Sequence, residues 1–245
     1  MSYQKVVLIS GANRGLGYET ARILLRSPHY HVIIGSRALP KGTAAVKTLR
    51  ALPDVKGTVE TIQLDVRDLN SINSTREYLE MAFERLDILI QNAAVYLLDS
   101  GSPQTLRTSL ETNVIGVATL TETLLPLLRR SKNPRLVFVT SSNASLAYNS
   151  DPASPHGGTH ATEYRVSKAA LNMLLVQYHR KLEGITVLGV DPGFSATEVI
   201  GDADALRKMG AAEPEVGAEI IAGVARGDKD DLPGLVHGPQ GLVPW

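Results

Sequence analysis

The sequence predicts a doubly wound α/β fold, a parallel sheet of six or seven strands with helices on both faces, in a single domain over residues 1–245. Three observations carry this. Short β-branched and apolar runs recur along the chain without polar alternation, as strands buried on both faces must. A segment of helical periodicity follows nearly every run, the pattern of a parallel sheet with right-handed crossovers. Residues able to do chemistry fall at the carboxyl ends of these strands, where open α/β sheets bind ligands.

Composition sets the limits. At 43% hydrophobic and 20% charged, 245 residues can bury a sizeable core, and no linker composition divides them. Lys plus Arg and Asp plus Glu are both 25, so charge points neither to nucleic acid nor to an anionic membrane as partner. The absence of cysteine excludes disulfides, thiol catalysis and cysteine-ligated metals. Val6-Val7-Leu8-Ile9 is too short to span a membrane and leads into a glycine loop, not a cleavage signal. A soluble, cytoplasmic protein is the expectation.

Lys5–Ser10 reads as the first strand and residues 15–26 as the helix after it. Between them Gly11, Gly15 and Gly17, with Asn13, Arg14 and Leu16 interspersed, form a loop whose glycines let backbone approach a pyrophosphate, with the helix N-terminus behind it. Residues 31–36 form the second strand and end in Gly35-Ser36-Arg37. A carboxylate at that end would hold a ribose 2′-hydroxyl, and none is present. Arg37, helped by Arg14, can instead make charge-assisted contacts to a 2′-phosphate, which favours NADP(H) over NAD(H). Two solvated surface arginines are the plainer alternative.

Residues 41–52 read as a helix stopped by Pro53, and 58–66 as the third strand, ending at Asp65 and Val66. Asp65 either accepts from an adenine amino group or caps the helix that starts near Leu69; both roles stay open. Residues 72–85 are amphipathic, and 86–90 form a fourth strand running into Gln91-Asn92-Ala93-Ala94, small enough to let a cofactor lie close. Residues 105–130 read as one long helix. Asn113 in its interior competes for backbone hydrogen bonds, and with Gly116 nearby it predicts a kink. Residues 136–140 form the fifth strand and lead into Ser141-Ser142-Asn143.

The irregular stretch 149–161 holds His156 and His160, but Gly157-Gly158 between them breaks any helix that would align the two for a metal, so it reads as a loop. A helix over 164–182 and the strand Thr186–Val190 follow, then Asp191-Pro192-Gly193 turns the chain away. Residues 194–212, with Thr197 among them, read as a mobile lid. The helix Pro214–Arg226 and a last strand around 234–236 complete the order. Tyr164 and Lys168, one helical turn apart, share a face. An ammonium beside a phenol favours the phenolate, so the pair can move a proton to or from a substrate oxygen.

Ser10-Gly11-Ala12-Asn13-Arg14-Gly15-Leu16-Gly17, Gln91-Asn92-Ala93-Ala94, and Asn113, Ser142, Tyr164 and Lys168 in that order resemble the short-chain dehydrogenase/reductase family, over essentially the whole chain. Ser10 replaces a threonine and Ala94 a glycine of the family pattern. Ser142 and Tyr164 stand 22 residues apart, farther than is usual in the family, and the 149–161 stretch supplies the excess. Ser142 is chosen over Ser141 from the residues that follow, with Ser145 as an outside alternative. The ending from Gly234 to Trp245 resembles the carbonyl-reductase and C-factor-like branch.

The resemblance implies a Rossmann-type domain with Asn113, Ser142, Tyr164 and Lys168 as catalytic tetrad and no metal. Lys168 would also bind the nicotinamide ribose, and Asn113 would hold a water linking Lys168 to solvent. Cofactor contacts would come from Gly11, Asn13, Arg14, Gly15, Leu16 and Gly17, from Ser36, Arg37, Asp65 and Val66, and from Asn92, Ala93, Pro192, Gly193 and Thr197. The implied activity is reversible NADPH-dependent reduction of a ketone or aldehyde. A non-catalytic NADP(H)-binding sensor or scaffold is the alternative. The implied partners are a small carbonyl or alcohol compound and a second copy of the chain, in a dimer or tetramer built on the 105–130 and 164–182 helices, where Leu171, Leu174 and Leu175 serve either that contact or only the core. A monomer stays open, since the 149–161 stretch can cover that surface.

Overall fold

The computed structural model describes residues 4–97 and 102–245. Strand β1 (Lys5–Ser10) lies mid-sheet, paired in parallel with β2 (Tyr30–Ser36) on one side and β4 (Ile88–Gln91) on the other. β3 (Thr58–Gln63) lies beyond β2; β5 (Arg135–Val139), β6 (Thr186–Val190) and β7 (Val236–Gly238) extend the sheet past β4, all in parallel. β8 (Gly241–Val243) folds back antiparallel on β7. The order is β3-β2-β1-β4-β5-β6-β7-β8. The chain leaves β1 toward one edge and returns at β4 toward the other, so the loops after β1 and β4 diverge and open a crevice at the carboxyl ends.

Side chains alternate across each strand, which divides the core in two. Val6 and Leu8 of β1 face α3 (Leu69–Phe83), α5 (Val117–Leu128) and α7 (Thr162–Lys181), whereas Val7 and Ile9 face α1 (Gly15–Leu25), α2 (Leu39–Arg50) and α9 (Pro214–Arg226). Val7, Leu8 and Ile9 are fully buried, each worth about 1.5–3 kcal/mol over exposure. The shorter helices α4 (Pro103–Leu110), α6 (Leu146–Ser150) and α8 (Ala203–Lys208) lie in the connections on the crevice side of the sheet. No described helix is long and apolar enough to cross a membrane.

At four places the structure departs from the sequence reading or decides between its alternatives. The 105–130 helix is three pieces: α4, a π-helical turn Glu111–Gly116 and α5. The expected kink takes the form of that widened turn, and Gly116 permits it to touch the third-strand exit, since a Cβ there would sit 2.6 Å from the Val66 carbonyl oxygen. The last strand starts after 234–235, because Gly234 turns at φ +75° against His179. Asp68, not Asp65, caps α3, accepting from Asn70 N at 2.9 Å; Asp65 accepts from Arg67 N at 3.0 Å. Leu171 and Leu175 point into the core, so the apolar side chains that α7 exposes are Val166 and Met173.

Candidate active site

The glycine loop is built against the end of β4. Gly11 and Gly15 take positive φ, 66° and 59°, which only glycine adopts at little cost. A Cβ on Gly11 would lie 2.9 Å from Ala93 Cα, and one on Gly17 would lie 2.5 Å from Asn92 Nδ2. Ser10 Oγ accepts from the Asn92 and Ala93 amides, both at 3.0 Å, while Asn92 Nδ2 donates to Ser10 O and Gly11 O. Helix α1 then starts with no side-chain cap and no acidic residue in its first turn. Its free N–H groups and positive dipole end face the crevice, so this cradle fits a dinucleotide pyrophosphate.

The crevice encloses about 980 Å³. Gly11, Asn13, Arg14, Leu16, Arg37, Asp65, Val66, Asn92, Ala93, Pro192, Gly193 and Thr197 line it, and so do Ser142, Tyr164 and Lys168. Gly15, Gly17, Ser36 and Asn113 stand behind the wall. Ser36 is buried and donates its hydroxyl to Ala38 O at 2.9 Å, so it supports the turn that presents Arg37. Arg37 is exposed and makes no ion pair among the described residues, whereas Arg14 pairs with Glu198 at 2.6 Å. Two cations thus line the crevice, one held by an exchangeable surface carboxylate. Residues 194–212, expected as a lid, are pinned by a bridge between Ser195 and Ala212 and pack Ala196, Leu206 and Ala211 into a small core.

Tyr164 and Lys168 rise from the first turns of α7. Lys168 is buried, donates from Nζ to Val139 O at 2.8 Å and sits 5.6 Å from the centroid of the Tyr164 ring. Burial pushes the ammonium down to about 8, with the Asp191 carboxylate acting the other way. The phenol is raised from its ordinary value by desolvation first, then by Asp191 and Tyr96, against a Ser141 hydrogen bond that lowers it. Lys168 is not among the causes of that shift. Desolvation of the ring site wins, and Tyr164 carries its proton at neutral pH. Tyr96 packs on that ring, centroids 4.9 Å apart.

The serines divide their work. Ser145 is fully buried and caps α6 by accepting from Tyr148 N at 3.0 Å, which leaves it no part at the crevice. Ser141 Oγ accepts from Asn143 N at 3.2 Å and lies where it favours the Tyr164 phenolate. The Ser142 hydroxyl lies 3.3 Å from His156 Nδ1. Asn113 spends its side chain on scaffolding: Oδ1 accepts from Val95 N at 2.8 Å, and Nδ2 donates to Val95 O and Ser167 Oγ, both at 3.0 Å. Its amide therefore ties the fourth-strand exit to α7 and makes no contact with Lys168.

Sequence reasoning assigned no role to Ser141, Arg165 or Asp191. Asp191 is buried at the end of β6, where Oδ1 accepts from Gly193 N at 3.0 Å. Its place in Asp-Pro-Gly at a strand end was the available signal. The β7–β8 hairpin, whose residues 238–243 line the crevice, was also unassigned.

The chain is similar along nearly its whole length to proteins of known sequence and structure. The curated short-chain dehydrogenase/reductase tropE of Talaromyces stipitatus is 34% identical, covering 99% of this chain and 98% of its own length. Carbonyl reductase (NADPH) 1 of Sus scrofa is 29% identical, over 98% of this chain and 91% of its own length. The crystal structure of NADPH-bound carbonyl reductase from chicken fatty liver superposes with a TM-score of 0.84 over 99% of this chain and all of its own, at 23% identity, a likeness of fold. Residues 5–207 match the family described as short chain dehydrogenase. With its glycine cradle, Tyr164 and Lys168 in one crevice, the chain belongs to the short-chain dehydrogenase family.

Proposed function

We propose that the protein is an NADPH-dependent reductase that converts a ketone or aldehyde to an alcohol, reversibly, within the carbonyl-reductase and C-factor-like branch. One observation carries the reading: the Tyr164 phenol and the buried Lys168 ammonium, 5.6 Å from its ring centroid, line the same crevice as Arg14 and Arg37. The name of the pig relative, an NADPH carbonyl reductase, supports it.

When bound, the cofactor supplies the hydride. The chain's own residues hold the carbonyl and deliver the proton. Ser142 donates a hydrogen bond to the carbonyl oxygen and fixes its direction. Tyr164 gives its proton to the oxygen as negative charge grows there. Lys168, by its charge, and the nearby Ser141 hydroxyl stabilise the phenolate left behind. Lys168 also holds the nicotinamide ribose. Asn113 keeps α7 and the fourth-strand exit in register, which sets the distance between cofactor and phenol. Ile115 of the π turn, Val166 and Met173 are exposed; in this reading they pair two copies of the chain, and light scattering on the eluted protein gives a dimer mass or a multiple of it.

Initial rates with NADPH and NADH over a panel of aldehydes, aliphatic ketones and aromatic ketones test the reading. Turnover is expected with NADPH in strong preference, and Arg37→Asp should raise KM for NADPH about 10- to 100-fold, the worth of a charge-assisted contact, while leaving NADH unchanged or better. Tight NADPH binding with no turnover on any compound would favour a sensor or scaffold.

The pH dependence follows from Lys168. It is charged below about 8 and neutral above it. Reduction needs the charged form, so kcat/KM for NADPH should be level on the acid side and fall as pH rises through that value. A profile level well into the alkaline range would show that the Lys168 charge is not needed.

A further inference from the structure

The 149–161 stretch is held from beneath by one buried cation. Arg165, next to Tyr164 on α7, is 7% exposed and pairs with no carboxylate among the described residues. Its Nη1 donates to Asn149 Oδ1 at 2.8 Å and to His156 O at 2.7 Å, its Nε donates to His160 O at 3.0 Å, and its Nη2 lies 3.1 Å from His160 Nε2. The whole guanidinium serves this one segment. Asn149 carries the tie onward, donating from Nδ2 to Asn143 O at 2.9 Å and to Ser145 O at 2.7 Å. Serine turn, irregular segment and the start of α7 thus form one hydrogen-bonded body.

Within that body His156 stands at the crevice wall. Its backbone is fixed by Arg165, its ring stacks on Tyr148 with centroids 4.9 Å apart and planes at 26°, and its Nδ1 lies 3.3 Å from Ser142 Oγ. A serine hydroxyl both donates and accepts and turns freely about its C–O bond. If the hydroxyl donated to the imidazole, its proton would be lost to the substrate. If the imidazole N–H donates to the hydroxyl oxygen, the hydroxyl proton stays available for a carbonyl oxygen.

We propose that His156 is a positioning residue for the reduction: its Nδ1–H donates to Ser142 Oγ and so turns the Ser142 proton toward the substrate carbonyl oxygen. With Tyr148 it forms the wall that carries substrate selection, and Arg165 locks the arrangement. The inference rests on the reductase reading, since Ser142 counts here as the group that holds the carbonyl oxygen.

The test is kinetics on the full chain with NADPH and a carbonyl compound that the wild type reduces, for His156→Ala, His156→Asn, Ser142→Ala and the double alanine variant. His156→Ala should lower kcat about 10-fold, the effect of one hydrogen bond, with Kd for NADPH unchanged. His156→Asn, whose amide can occupy the place of Nδ1–H, should restore most of it. In the Ser142→Ala background, His156→Ala should cost nothing more, because the two act as one unit. Losses that multiply, an unaffected kcat in His156→Ala, or no rescue by asparagine would overturn the proposal. Imidazole ¹⁵N shifts give a readout independent of turnover. A protonated Nδ1 on His156 that moves in Ser142→Ala supports the hydrogen bond, and an Nε2–H tautomer overturns it even if the wild type reduces every compound tried. A wild type that binds NADPH but reduces nothing would remove the reductase reading itself, whatever the tautomer.

Discussion

Tyr164→Phe is expected to lower kcat for carbonyl reduction about a thousandfold, within the range that a positioned general acid supplies, while Kd for NADPH and the melting temperature stay near wild type. The substitution removes one oxygen and leaves the ring. Tyr96 still has its packing partner at 4.9 Å, and the Lys168 ammonium keeps its Val139 carbonyl at 2.8 Å. What disappears is the proton of the phenol that stands beside Lys168 in the crevice. Retention of more than a tenth of the wild-type kcat would mean that another group gives the proton and that the central assignment is wrong.

The second large effect separates adjacent serines. Ser142→Ala is expected to lower kcat about a hundredfold, as loss of one preorganised donor to a developing oxyanion does, and Ser141→Ala about tenfold, the effect of one hydrogen bond. Ser141 favours the ionised form of the phenol, so its removal slows proton release without loosening the carbonyl. Ser142 has a hydroxyl engaged only by His156 among the contacts described, which leaves its proton for the substrate. The opposite ranking of the two variants would transfer the carbonyl-holding role to Ser141.

Much of this architecture could be read before any coordinates. Val6-Val7-Leu8-Ile9 and Val32-Ile33-Ile34 carry no polar alternation, and only a parallel sheet covered on both faces buries such runs whole. Because parallel strands all end at one edge, Gly11, Arg37, Asn92, Ser142 and Pro192 had to converge once the strand order was right, and they line one crevice. What escaped depends on packing or on rotation about single bonds. Which serine meets Tyr164 is set by the turn at Ser142–Ala144 and by His156, which comes from a loop without periodicity. The upward shift of the phenol depends on its surroundings in three dimensions, Asp191 and Tyr96 among them, and neither is near Tyr164 in sequence. β7 and β8 are three residues each, around Pro239-Gln240, too short for period-two patterning to separate them from a loop. The inward turn of Leu171 and Leu175 was equally hidden, since core and subunit contact ask for the same apolar spacing on a helix.

The most direct measurement follows the hydride itself. NADPH deuterated at the transferring carbon of its nicotinamide ring is incubated with the protein and a carbonyl compound from the panel, and the product is weighed by mass spectrometry. The account predicts an alcohol carrying one deuterium on the former carbonyl carbon, formed by the wild type and about a thousandfold more slowly by Tyr164→Phe. Loss of NADPH absorbance with no deuterated alcohol, or equal product from both proteins, would contradict it.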